Sequence, residues 1–249
     1  MLYDSWIMLK RSMKISFRSP DAIGMALIAP AFLMWLFGSV FGNVMDVGEY
    51  NYINFIVPGI ILQAVTQATT AAAITVNNDM SKGIIDRFRS MSISKSAVLV
   101  GHVLSSVVRN IITAAVIIGV AFAIGFRPQA SFTGWLLIAG VLILCILAIT
   151  WLAVICGLVA KSPESAGSML FPLFILPFVS SGFAPTESMS GGLRWFAENQ
   201  PMTPIIDALR ALMMDTPVEN SLLLATVWCG GVIIIAFTVA VQIYKRKLV

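Results

Sequence analysis

The chain has 249 residues, 58% of them hydrophobic and only 11% charged, with a mean hydropathy of +0.91, a balance that excludes an ordinary soluble domain. The formal net charge of +4 and pI near 9.1 do not indicate a nucleic-acid binder, because the basic residues fall in short tracts beside apolar runs without interleaved aromatics. Cys145, Cys156 and Cys229 lie in apolar stretches without metal or redox spacing, and a single histidine, His102, reads as an interfacial polar residue rather than a ligand or base.

In chain order, residues 1–20 come first. Leu2, Trp6, Leu9, Met13 and Phe17 recur every three or four positions, while Lys10, Arg11, Lys14 and Arg18 lie mostly on the other side. This pattern predicts a helix in the headgroup layer, with Trp6 in the acyl boundary and Arg11, Lys14 and Arg18 toward anionic lipid; Pro20 then ends it. The apolar run that follows is too long for the core of a signal peptide and reads as an uncleaved span.

A span needs roughly 20 mostly apolar residues. Six segments qualify: 22–45, 53–76, 107–126, 132–159, 166–183 and 221–243. The fifth is short and contains Pro172 and Pro177, which predicts a kinked helix whose freed carbonyls are satisfied by neighbours. The second contains Gln63, Thr66, Gln67, Thr69, Thr70 and Thr75, and the fifth ends in Ser180 and Ser181. Neutral amides and hydroxyls of this kind either hold helices together or line a path for a largely apolar substrate, and Ala68, Ala71, Ala72 and Ala73 favour close packing. Arg109 is the one charge inside a predicted span, about a turn from its cytoplasmic end; it either snorkels to the interface or acts at an inner gate.

Between the second and third spans, residues 77–106 turn polar and basic. Ile84, Ile85, Phe88 and Met91 recur at helical spacing, with Arg87 and Arg89 beside them. An apolar stripe with a charged rim fits a groove on a cytoplasmic partner; the same stripe could also lie on the membrane surface. Residues 184–220 form the longest external segment. Within it Ile205, Ile206, Leu209 and Leu212 face one way and Asp207 and Arg210 another, which predicts a short helix on the outer membrane face or a partly re-entrant one.

Orientation follows the basic residues. Lys10, Arg11, Lys14 and Arg18, then Lys82, Arg87, Arg89 and Lys95, then Lys161, and finally Lys245, Arg246 and Lys247 place twelve of 16 cations on one side, against Arg127, Arg194 and Arg210 on the other. Both termini are therefore expected in the cytoplasm, with the chain multi-pass in the plasma (inner) membrane. The fold class expected is an all-α integral membrane protein of one domain, 1–249. It has six transmembrane helices, an interfacial helix, a cytoplasmic coupling helix and an external or re-entrant helical segment. No phosphate-binding loop, zinc-protease or serine-hydrolase motif occurs, so no catalytic residue, cofactor or metal site is assigned to the chain itself. Carboxylates are missing from the apolar interiors, which argues against an ion-coupled carrier. A non-transporting membrane assembly or immunity subunit would share the topology.

The run MSKGIIDRFRSMSISKSAVLVGHVLSSVVRN, 80–110, resembles the cytoplasmic segment of ABC-2 type transporter permeases. It is closest to the daunorubicin/doxorubicin-resistance group of multidrug export permeases. FPLFILPFVSSGFAPTESMSGGLRWFAENQPMTPIIDALRAL, 171–212, is similar to that family's fifth span and external helical segment. The sequence departs from the family pattern at Ser92, Ser190 and Gly192, positions where proline or a bulky residue is common. The resemblance implies a permease that pairs with a second copy, as a homodimer or a paralogous heterodimer, and binds two cytoplasmic ABC ATPase subunits, which carry the ATP and Mg. It also implies that 77–91 is the coupling helix and 2–18 the connecting helix. The expected function is ATP-driven export of a hydrophobic or amphipathic drug, lipid-like metabolite or lipid-linked glycan.

Overall fold

The computed structural model describes residues 20–42, 51–81 and 95–247, all helix and connection without strands. Helix α1 spans Pro20–Phe41, α2 Tyr52–Ser81, α3 Lys95–Ile124 and α4 Phe132–Val159. Two short helices follow, α5 Pro163–Ser168 and α6 Phe171–Ile175, then α7 Gly191–Asn199, α8 Met202–Met214 and α9 Ser221–Lys247. Among the described residues, four helices are long and apolar enough to cross a membrane: α2, α3 from Leu99, α4, and α9 to Tyr244. In α1 the apolar stretch Ile28–Phe41 is shorter. The N-terminal residues Trp6, Arg11, Lys14 and Arg18 lie outside the described residues, as do Ile84, Ile85, Arg87, Phe88, Arg89 and Met91.

The middle of the bundle is α2. From Phe55 to Thr66 every residue is buried, and the helix packs against α1, α3, α4, α5 and α8. A helix enclosed by neighbours on every side over such a stretch has no lipid-facing stripe to show there. α4 and α9 pack together beside it, with Trp151 and Phe237 edge to face at 5.0 Å and 89°. α9 presents Ile234 and Ile235 outward, both about two-thirds exposed at 68% and 66%, which suits contact with lipid chains.

Two differences from the sequence reading matter for function. First, the segment 166–183 is not one kinked helix. It breaks into α5, α6 and a run of turns, because Pro177 supplies no N–H and the backbone after it closes shorter loops. Phe178 N donates to Ile175 O at 2.9 Å, and Val179 N divides between the carbonyls of Ile175 and Leu176. The Ser180 hydroxyl then donates to Pro177 O at 2.6 Å and accepts from Gly182 N, replacing helical backbone bonds with side-chain ones. Second, the segment 77–106 is not loop throughout. α2 continues to Ser81 and α3 starts at Lys95, so both roots of the connection are helical extensions of the spans.

Local chemistry sets the ends. Ser131 caps α4 by accepting from Gly134 N at 3.2 Å, and Ser162 and Ser165 form a reciprocal capping box at α5 with Pro163 in the first turn. α8 stops at Asp215, which takes the left-handed conformation at φ 55°.

Candidate functional site

One face of α2 runs along the broken segment. A Cβ on Gly59 would sit 2.7 Å from the Gly182 carbonyl oxygen, so backbones touch there. About three turns on, the Thr70 and Ile74 side chains would lie 3.4 and 3.5 Å from a Cβ on Gly167 of α5. Helical spacing places Gln63 and Gln67 on this same face, between the two contacts. The Oε1 atoms of both glutamines are shielded from solvent and accept no hydrogen bond among the described residues. Thr66 turns its hydroxyl back to Leu62 O at 2.8 Å, which satisfies it within the helix, and Thr70 is half-buried. The sequence-predicted polar set of α2 therefore divides. Thr66 serves its own helix, and Gln63, Gln67 and Thr70 share the stripe facing the discontinuous segment.

A second polar seam includes Thr69 from the sequence-predicted set, but its partners on α3 and α4 were not anticipated from sequence. Asn110 of α3, fully buried, donates through Nδ2 to Thr69 Oγ1 of α2 at 3.0 Å and to Ser106 Oγ at 3.2 Å. Ser106 is in turn 3.2 Å from Thr150 Oγ1 of α4. Four small polar groups thus stitch three helices where only van der Waals packing would otherwise act. The available signal was the i, i+4 pair Ser106 and Asn110 inside an apolar run. Arg109, the adjacent residue, has its guanidinium Nε and Nη2 enclosed by the bundle rather than extended into solvent.

At the far end, Ser181, Asp207 and Arg210 come together. α8 does not rest on the outside of the bundle: its apolar face, including Ile205 and Leu209, is buried against α2, α4 and α9. The polar face meets the turn after α6. Ser181 Oγ donates to Asp207 Oδ1 at 2.6 Å, and Arg210 Nη1 donates to the same oxygen at 2.7 Å. Arg210 Nη2 donates to Ser181 O, its Nε donates to Phe55 O at 3.2 Å, and its guanidinium lies 3.8 Å over the Phe55 ring. Tyr52 OH adds a bond to Phe183 O at 2.9 Å. This latch joins α8, the broken segment and α2 through six polar or ring contacts, four of them made by Arg210. Ser180 lies outside it, satisfied by Pro177.

Outside the spans, Arg194 is held above its usual range by its hydrogen bond to Glu198 at 2.7 Å, on an exposed face of α7. Glu164 is held below the usual carboxylate range by its own backbone N–H and the Ser162 hydroxyl. Among the described residues no group of three or more His, Cys, Asp or Glu side chains is arranged to hold a metal ion.

The family model described as ABC-2 type transporter matches residues 3–214. A daunorubicin resistance ABC transporter permease protein of Streptomyces coeruleorubidus is 28% identical over 228 residues, 91% of this chain and 79% of the relative. A probable doxorubicin resistance ABC transporter permease protein of Mycobacterium tuberculosis (strain CDC 1551 / Oshkosh) is 25% identical over 226 residues, 89% of this chain and 80% of the relative. The same figures hold for its counterpart in strain ATCC 25618 / H37Rv.

Proposed function

The chain belongs to the ABC-2 type transporter family, and on that premise we propose that it is the permease subunit of an ATP-driven exporter. It moves a hydrophobic or amphipathic compound outward (a drug, a lipid-like metabolite or a lipid-linked glycan) with energy from two copies of a separate cytoplasmic ATP-binding subunit, and it works beside a second permease copy. Six membrane crossings and cytoplasmic termini complete the reading, with the fifth crossing made by the discontinuous segment. The observation that carries it is the stripe Gln63, Gln67 and Thr70 on the one α2 face that borders that segment. A discontinuous backbone is compatible with membrane depth where protein or a cavity encloses it, and enclosed amide oxygens without donors offer hydrogen-bond acceptors to a passing amphiphile. Residues 82–94 receive the ATP-binding subunit, and Arg109 contributes to the inner closure.

The experiment is ATP-dependent accumulation of daunorubicin, the drug named in one relative, in inverted vesicles containing the permease and whatever ATP-binding subunit co-purifies with it. Gln63→Leu with Gln67→Leu is expected to raise the apparent KM several-fold with ATP hydrolysis retained. Absence of any co-purifying ATP-binding subunit would sink the reading. For orientation, a cysteine replacing Glu198 should react with an impermeant maleimide in intact cells and one replacing Arg246 should not; the reverse pattern would invert the topology.

A further inference from the structure

The connection 82–94 has two helical roots, the end of α2 and the start of α3. Just before its end α2 carries Asn77, Asn78 and Asp79 in succession, and the rotation of about 100° per residue sends neighbouring side chains to different partners. Asn77 Nδ2 donates to the Gly157 carbonyl at 3.1 Å and to the Ala160 carbonyl at 2.8 Å, in the last turn and at the cap of α4. These belong to the carbonyls that a helix end leaves without intrahelical donors, so an amide of α2 fastens the end of α4. The backbones are also in contact there: a Cβ on Gly157 would lie 2.5 Å from Ala73 O and 2.9 Å from Val76 Cβ. Two positions after Asn77, Asp79 Oδ2 lies 3.2 Å from His102 Nε2 of α3, with the two side chains only 12% and 11% exposed.

We propose that Asn77, Asp79 and His102 are positioning residues that form a transmission joint, passing displacement of the 82–94 connection to α3 and α4 together. The proposal rests on the reading of 82–94 as the receiver of the ATP-binding subunit. Apolar side chains at the same places would hold the helices near one another but let them slide, because dispersion contacts are non-directional. An amide bonded to two carbonyls fixes both spacing and rotation, and a carboxylate facing an imidazole at 3.2 Å adds a close polar contact between α2 and α3. A shift at the end of α2 is then shared by three helices instead of being absorbed by bending in one. Nothing in the polarity of residues 77–81 requires this for membrane insertion alone, since a helix end at an interface can leave its polar side chains in water.

The test uses the complex in vesicles, with co-purification of the ATP-binding subunit, ATP hydrolysis and daunorubicin moved per ATP measured on one preparation. Asp79→Leu, His102→Leu and Asn77→Leu should each keep co-purification and hydrolysis within about twofold of wild type. Daunorubicin moved per ATP should fall by roughly tenfold, a usual size for coupling between linked sites. Exchanging the pair, Asp79→His with His102→Asp, should recover most of the ratio, because it restores the pairing although not the original volumes. Folded Asp79→Leu and His102→Leu proteins with wild-type transport per ATP would overturn the joint, and so would an exchange no better than either single variant. Loss of co-purification in the single variants would assign the pair to docking instead of transmission and equally overturn it. If the wild-type permease recruits no ATP-binding subunit, the functional reading fails first and the joint fails with it.

Discussion

Phe88→Ala should weaken association of the permease with its ATP-binding subunit by roughly thirtyfold while the protein remains inserted in the membrane. The reason lies in the sequence between the two helical roots. Ile84, Phe88 and Met91 follow one another at i, i+4 and i+7, the spacing that would put them on one stripe of a helix, with Arg87 and Arg89 flanking Phe88 in sequence. Truncating a buried aromatic anchor commonly costs about 2 kcal/mol or more of binding, because the groove it filled is left open to water or empty. Arg89→Ala should cost less, since a charge at the rim acts mainly on encounter and its salt dependence. The check is recovery of the ATP-binding subunit from detergent-solubilised membranes, normalised to folded permease. If the triple change Ile84→Ala, Phe88→Ala, Met91→Ala still recovers the wild-type amount, the stripe lies against lipid and the docking surface is elsewhere.

Replacing Arg210 by alanine should lower the unfolding midpoint of the solubilised permease by about 6–12 °C, which corresponds to about 3 kcal/mol in a chain of this size. The Asp207 carboxylate contributes the smaller part of that loss. Its side chain is 39% exposed, so water can partly replace the guanidinium. The larger part comes from Arg210 itself, 13% exposed, which serves two backbone carbonyls and one ring face as well as the carboxylate. Arg210→Lys keeps the charge but offers a compact ammonium in place of a planar fork, so it should restore less than half of the shift. A midpoint for Arg210→Ala within about 2 °C of wild type would mean that the latch bears no load, whatever its geometry.

The two elements read most accurately from sequence are those whose ends coincide with local chemistry. The prediction 132–159 for α4 matches Phe132–Val159 because Ser131 caps one end and the Lys161, Ser162, Pro163 run stops the other. The start of α9 was likewise placed at Ser221. Hydropathy misplaced the roots at 77–81 and 95–106, because it reports where lipid ends and not where a helix ends. Helix continues there with Asn77 and Asp79 buried against neighbours. The break in 166–183 was invisible for a different reason: two prolines signal a weakened helix, but whether Ser180 and Gly182 complete a turn depends on α2 and α8 lying alongside. At the latch, Ser181, Asp207 and Arg210 were each singled out from their own segments, yet no periodicity links positions 26 and 29 residues apart. Phe55, the fourth partner, reads in sequence as one more apolar residue of a span. His102 reads in sequence as an interfacial polar residue with no partner, because the segment 77–106 that holds Asp79 reads there as a polar loop.

The discontinuity after α6 also constrains how the protein is made. A continuous apolar helix can leave the ribosome and partition into lipid alone, since its peptide groups are already paired within it. The turns at 176–183 cannot, because part of their hydrogen bonding is supplied by other segments: Gln200 Nε2 donates to the carbonyls of Leu176 and Val179, and Arg210 donates to that of Ser181. Those donors are synthesised some twenty to thirty residues later. Until α8 has been translated and has packed, the nascent chain must shelter this stretch against α2 or within the insertion machinery. Truncation between residues 183 and 210 should therefore leave a chain that quality-control proteases recognise, even though every long apolar helix before the break is complete.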